Sequence, residues 1–174
     1  MNSTTQLQRN QDETTTDKPE STCIMAEPAF QPMLELQSTD TEYFLKVLYV
    51  DDDDCLLRVS KQILEMEGKI KVETATSVKE AFENLKQFHY DVVVSDYEMP
   101  GKNGLQFLEE LKKIAESPPF ILFTGQGRAD VAAKALNLGA FKYLNKSGDL
   151  ETVYAELTST IQQAAMTPLL RSPA

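Results

Sequence analysis

Short apolar runs alternate with amphipathic stretches along the chain from Lys46 onward. Three of the runs are almost continuously apolar, which is typical of parallel strands that are covered on both faces. The other two runs are equally short. The pattern therefore predicts five strands: Val47–Val50, Ile70–Val72, Val92–Val94, Phe120–Phe123 and Phe141–Leu144.

Apolar residues between the runs recur at spacings of three and four, which indicates amphipathic helices. Ser77 and Asp149 each precede such a pattern and are candidate N-caps, while Gly68 and Gly139 are candidate helix terminators. The clearest helical set is Val78, Ala81, Phe82, Leu85 and Phe88.

Five strand and helix pairs in strict alternation predict a parallel sheet with right-handed crossovers and helices on both faces. The simplest such fold is α/β and flavodoxin-like, a doubly wound (βα)5 sheet with strand order 2-1-3-4-5. In that order the carboxyl ends of the first and third strands flank the point where the winding reverses. Folds of this kind bind ligands at that point.

The two ends of the chain differ from this pattern. Residues 1–43 form a polar leader with few aliphatic residues before Ile24, which predicts disorder because little apolar area is available to offset the ordering entropy. An apolar group around Phe30 and Leu34 is either loosely packed leader or a short docking segment. We place one domain at 44–165 and a short tail at 166–174, with no recognisable output module.

The composition of the chain argues against several classes of binding partner and metal site. The 27 acidic and 17 basic residues give a net charge of −10, which argues against binding nucleic acid or an anionic membrane surface. The two cysteines and the single histidine, His89, exclude a Cys-rich or multi-histidine metal site. The apolar runs are too short to span a bilayer, and the first twenty residues are unlike a secretory signal. We therefore expect a cytoplasmic protein.

Polar side chains stand at the carboxyl ends of four predicted strands. Asp51 and Asp52 follow the first strand, Asp96 follows the third, Thr124 follows the fourth and Lys146 follows the fifth. Three converging carboxylates either take up protons or hold a cation, and oxygen ligands favour Mg²⁺ over zinc or copper. A carboxylate beside Mg²⁺ can act as a nucleophile toward phosphorus, while the hydroxyl and the ammonium hold the remaining phosphoryl oxygens.

Each of these residues also has a simpler interpretation. An Asp at the start of a helix is stabilised by free amides and the helix dipole, and we assign that capping role to Asp53 or Asp54. Lys146 alone is typical of a surface lysine, and Thr124 alone of a β-branched strand residue. Only their shared placement at the carboxyl ends of the strands favours a common binding site for a cation and a phosphoryl group.

Four segments surround the residues at the strand ends: Val47-Leu-Tyr-Val-Asp-Asp, Asp91-Val-Val-Val-Ser-Asp-Tyr-Glu-Met-Pro-Gly, Phe120-Ile-Leu-Phe-Thr-Gly and Tyr143-Leu-Asn-Lys. Together they resemble the signature segments of a known family, the receiver domains of response regulators in two-component signalling, and they occur in that family's order. The resemblance covers residues 44–165. It implies a stand-alone receiver similar to the chemotaxis response regulator.

The resemblance implies roles for eight residues of these segments. Asp96 is the phosphoacceptor, and it ligates Mg²⁺, or Mn²⁺ in its place, together with Asp52 and the carbonyl of Glu98, while Asp51 acts through water. The phosphoryl oxygens meet the side chains of Thr124 and Lys146, with Gly125 keeping the approach open. Thr124 and Tyr143 form the switch.

The resemblance also implies partners: a histidine kinase as donor, and an output or phosphotransfer protein that the sequence does not identify. We expect no enzyme activity beyond assistance to the domain's own phosphorylation and dephosphorylation.

The sequence departs from the family at two positions. Ser147 follows the lysine where receivers usually have proline, and Asn103 stands where many have Asp, a change that we interpret as a helix N-cap.

An enzyme remains an alternative. Asp51 and Asp53 fit the Asp-x-Asp start of haloacid-dehalogenase phosphatases, but Cys55 stands where that family has Thr or Val, and Asp96 precedes Thr124 instead of following the lysine.

Overall fold

The computed structural model describes residues 43–66, 68–125 and 127–171, with side chains as far as Thr167. Five parallel strands form one sheet in the order β2-β1-β3-β4-β5, which confirms the predicted flavodoxin-like topology. The strands are β1 Leu45–Val50, β2 Ile70–Ala75, β3 Val92–Ser95, β4 Phe120–Thr124 and β5 Lys142–Asn145.

Five helices alternate with the strands. Their bounds are α1 Asp54–Glu65, α2 Val78–Gln87, α3 Gly104–Leu111, α4 Ala129–Asn137 and α5 Leu150–Arg171.

Side chains cap most of the helix starts. The Asp53, Ser77 and Asp149 side chains each accept backbone N–H groups from the first turn of a helix, as predicted. Asn103 and Gln106 bond to each other's backbone N–H in a capping box. These bonds satisfy N–H groups that lack a partner within the helix.

The helices cover the sheet on both faces, as near-continuous apolar strands require. Successive strand residues point to opposite faces, so Leu48 and Val93 pack toward α2, α3 and α4, while Tyr49 and Val94 pack toward α1 and α5. The central strands β1, β3 and β4 are almost wholly buried. Both cores are therefore anchored on the strands that carry the candidate acidic and hydroxyl residues.

Several element bounds differ from the sequence prediction. β2 continues to Ala75, beyond the predicted end at Val72. The prediction was too short because β2 lies at the sheet edge, where buried apolar residues alternate with exposed polar ones. The apolar spacing of Leu105, Leu108, Leu111 and Ala115 predicts a longer α3, but the helix ends at Leu111. α5 runs to Arg171, so the predicted tail 166–174 begins inside the helix, where Ala165 and Met166 are good helix formers.

The predicted leader lies almost entirely outside the described residues, as does the apolar group around Phe30 and Leu34. The first described residue, Tyr43, is exposed, and its hydroxyl donates to Asp91 at 3.0 Å. None of the helices in the described part of the chain has the length and apolar character that crossing a membrane requires.

We expect Phe107→Ala to lower the free energy of unfolding by about 3–5 kcal/mol, because it opens a cavity in the core. Phe107 is fully buried, and its ring packs edge-on against Phe82 at 5.2 Å and Phe120 at 5.5 Å. Urea unfolding measures the loss. The control is Phe88→Ala, at a phenylalanine that is 49% exposed, where we expect a loss below about 1 kcal/mol. Equal losses would contradict the assignment of Phe107 to the core.

Candidate functional site

Backbone hydrogen bonds fix the residues that follow the strands. The N–H of Asp51 donates to the carbonyl of Ala75 at 3.1 Å, and that of Asp96 donates to Val50 at 2.8 Å. The N–H of Lys146 donates to the carbonyl of Thr124 at 2.8 Å. The sheet ladder thus extends past the last strand residues, and it holds three charged residues on the edge where ligands bind in such folds.

Lys146 joins two of the predicted carboxylates. Its Nζ donates to Asp51 Oδ2 at 2.5 Å and to Asp96 Oδ1 at 2.7 Å, across separations of 95 and 50 residues. The three side chains are largely buried, with exposed fractions of 16% for Lys146, 4% for Asp51 and 10% for Asp96. The sequence analysis offered protonation or a bound cation as the two ways to relieve repulsion between the carboxylates. The structure adds a third way, because the Lys146 ammonium neutralises part of their negative charge.

Opposing effects act on the carboxyl of Asp96. Burial raises its pKa above the usual value, and the nearby charge of Asp51 raises it further. The hydrogen bond and positive charge of Lys146 and the N–H of Glu98, which donates to Oδ2 at 2.5 Å, lower the pKa without cancelling the effect of burial. Asp96 is thus a partly desolvated carboxylate, a state suited to reaction with an electrophile.

The acidic run after β1 divides into different environments. Asp51 is buried and accepts the N–H of Asp53 at Oδ1, whereas Asp52 is exposed. The carboxylate of Asp53 accepts the N–H groups of Cys55 and Leu56 and caps α1. Asp54 pairs with Arg58 on the surface. The side chain that the phosphatase alternative needs as a second catalytic acid is therefore a helix cap.

A surface pocket of about 500 Å³ lies beside this edge of the sheet. Both Asp52 and Glu98 line it, so two of the predicted metal ligands face one space. No three acidic, histidine or cysteine side chains within the described ranges form a group that could hold a metal ion. The remaining lining residues are Tyr97, Met99, Pro100, Asn103 and Arg128.

The carboxyl ends of β4 and β5 lie next to one another. Thr124 is buried at the end of β4, opposite Asn145 in the sheet register. A Cβ built on Gly125 would meet no atom within 4 Å, so the space before it is open. Ser147 donates its hydroxyl to the carbonyl of Gly125 at 3.3 Å, and its N–H donates to Asn145 Oδ1 at 2.8 Å.

The predicted switch aromatic, Tyr143, is partly buried and packs against the core beneath α2, α3 and α4. Its hydroxyl accepts the N–H of Arg128 at 3.2 Å, which ties β5 to the start of α4. The guanidinium of Arg128 pairs with Asp130 at 3.2 Å.

Comparisons with known proteins agree with this geometry. The family model of the response regulator receiver domain matches residues 47–158. The chain belongs to the response regulator receiver domain family.

Individual relatives share this receiver domain. A receiver domain protein from Clostridium thermocellum has a TM-score of 0.67 at 33% identity, over 74% of this chain and 100% of its own. The response regulator domain of Thermotoga maritima CheB has a TM-score of 0.64 at 30% identity, over 70% and 96%. The transcriptional regulatory protein GlrR of Escherichia coli is 33% identical over 68% of this chain. The match spans only 27% of GlrR.

Sequence analysis missed one residue that the close packing beside Asp96 requires to be small. A Cβ on Gly104, the first residue of α3, would lie 2.3 Å from the carbonyl oxygen of Asp96 and 2.7 Å from Leu122. Only a glycine lets α3 begin this close to the loop that carries Asp96. The sequence shows only a glycine directly after the helix N-cap Asn103. That pattern does not reveal the close approach of Gly104 to Asp96 and Leu122.

We expect Asp96→Asn to stabilise the metal-free receiver at neutral pH. Because the pKa of Asp96 is raised in the folded state, the native protein holds its proton more tightly than the unfolded chain. The carboxyl therefore destabilises the fold increasingly as the pH rises from the unfolded pKa through the folded pKa.

The measurement is urea unfolding in EDTA between pH 3.5 and 7. The gain in free energy of unfolding from Asp96→Asn should be smallest at the acidic end and largest near neutrality. An advantage that does not grow with pH would contradict the raised pKa of Asp96.

Proposed function

We propose that this receiver domain accepts a phosphoryl group on Asp96 from a histidine kinase, with the help of Mg²⁺, and acts in the cytoplasm as a signalling switch. The observation that carries the proposal is the buried ion cluster in which the Lys146 ammonium bridges Asp51 and Asp96. It presents a carboxylate and a fixed cation at the ligand-binding edge of the sheet, beside an open pocket.

The chemistry follows from the neighbours of Asp96. A carboxylate oxygen of Asp96 forms a bond to phosphorus while the bond from phosphorus to the donor's histidine nitrogen breaks, and that nitrogen keeps the electron pair. Lys146 neutralises negative charge on the phosphoryl oxygens, and the hydroxyl of Thr124 can donate a hydrogen bond to one of them. The product is an acyl phosphate on Asp96.

The donor atoms at this edge fit a magnesium ion. Asp96, Asp52 and the carbonyl of Glu98 would hold it, and all of them are oxygen ligands. Mg²⁺ is usually bound by one or two carboxylates together with water and phosphate, which agrees with the lack of a three-carboxylate group in the described residues. The ion, or Mn²⁺ in its place, supplies charge neutralisation for phosphoryl transfer.

The output of the switch extends this proposal. The Tyr143 hydroxyl accepts the N–H of Arg128, the residue directly before α4. A movement of Thr124 toward a phosphoryl group can therefore affect that helix through Tyr143. Some curated relatives are enzymes by name, such as a protein-glutamate methylesterase from Hydrogenovibrio crunogenus, of which the match spans 32%. We propose that this chain acts by docking or phosphotransfer to a partner protein and not as an enzyme.

We predict that acetyl phosphate with Mg²⁺ labels the wild-type protein and leaves Asp96→Asn unlabelled, because the amide removes the nucleophilic oxygen. Intact-mass spectrometry measures the added phosphoryl group. The matched control is Asp53→Asn, which retains a good helix cap and should be labelled normally. Label that persists in Asp96→Asn but is lost in Asp51→Asn would favour the phosphatase alternative.

We predict that Asp52→Asn weakens Mg²⁺ binding at least tenfold, since loss of even an indirect ligand contact costs about 10–100-fold. Titration followed by NMR or calorimetry measures the affinity. Asp54→Asn is the control, because Asp54 lies in the same acidic run and pairs with Arg58 on the surface. Equal weakening in both variants would indicate only a general effect of charge and would contradict the assigned ligand.

A further inference from the structure

An aromatic ring lies beneath the ammonium of the site. Lys146 Nζ is over the ring of Phe123, 5.6 Å from its centroid. A cation within about 6 Å of a ring face is attracted by the negative charge at the centre of the ring, and the attraction strengthens when water is excluded. Lys146 is only 16% exposed, and Phe123 is 1% exposed, so this contact is partly desolvated.

Other rings hold Phe123 in place. Tyr49 approaches it at 6.4 Å and an interplanar angle of 88°, and Tyr154 approaches at 6.0 Å and 79°. Tyr154 is fixed in turn by a 2.6 Å hydrogen bond with Ser60 of α1. The ring that meets Lys146 is therefore oriented by β1, α1 and α5 together.

The ring contact differs from the other contacts of Lys146. Both carboxylate contacts belong to the reacting cluster, and one of them uses the Asp96 carboxyl itself. When a phosphoryl group is transferred to Asp96, that carboxyl becomes part of an acyl phosphate, a mixed anhydride, and its interaction with Lys146 changes. Phe123 takes no part in the reaction, so its attraction for the ammonium is available both before and after transfer.

We propose that Phe123 is a positioning residue whose ring face holds the Lys146 ammonium at the phosphoryl site. The consequence for phosphoryl binding rests on the function proposed above, whereas the contact itself does not. Removing the ring's central negative charge, without changing its shape, should loosen Lys146 and weaken the binding of a phosphoryl group.

The experiment replaces Phe123 site-specifically with difluoro- and trifluorophenylalanine, which withdraw charge from the ring face stepwise and change its volume little. Beryllofluoride serves as the phosphoryl mimic, with Mg²⁺ affinity measured in parallel. We expect beryllofluoride affinity to fall by about threefold to tenfold across the series, with Mg²⁺ affinity unchanged. The same substitutions at Phe120, a fully buried phenylalanine in the same strand, provide the control and should leave both affinities unchanged.

A double-mutant cycle tests the contact without any phosphoryl mimic. Fluorination of Phe123 should reduce the folding equilibrium constant by about threefold to tenfold when Lys146 is present, and the reduction should disappear in Lys146→Met. Coupling without beryllofluoride binding in the unmodified protein would support the contact and refute the proposed phosphoryl chemistry. No coupling, or an equal affinity loss at Phe120, would overturn the role of Phe123.

Discussion

The charge balance around Lys146 is the interaction on which the site depends. Two carboxylates buried at neighbouring strand ends repel each other, and burial disfavours the charged form of Asp96. The ammonium offsets both effects, because it donates to Asp51 at 2.5 Å and to Asp96 at 2.7 Å. Removal of the ammonium would leave two uncompensated carboxylates in largely desolvated positions, which is costly.

The fold supplies the precision that this balance requires. Buried strands place Asp51 and Asp96 through ladder hydrogen bonds to Ala75 and Val50, while side-chain caps and the glycine at 104 bring helices close to the same edge. Phe123 connects the charged cluster to the core beneath α1 and α5. The charged cluster is therefore continuous with the fully buried part of the sheet, and the pocket beside it is open to solvent.

Much of this arrangement follows from local sequence patterns. Continuous apolar runs predicted β1, β3 and β4, because strands buried on both faces have no polar positions. The alternating edge strand β2 was predicted at half its length, since residues such as Lys71 and Glu73 are exposed there. Helix caps at Ser77, Asp53 and Asn103 were predictable because each acts within three residues of itself.

The alternation of elements and the identity of the residues at the strand ends are visible in the amino-acid order, because they depend on periodicity and short-range bonding. The strand order was inferred from that alternation as the simplest way to wind the chain. The different environments of those residues result from the folding of the chain. It joined Lys146 to carboxylates 50 and 95 residues away, left Asp52 exposed and used Asp53 as a cap. Distances between residues far apart in the chain depend on packing and backbone register, which no local pattern contains.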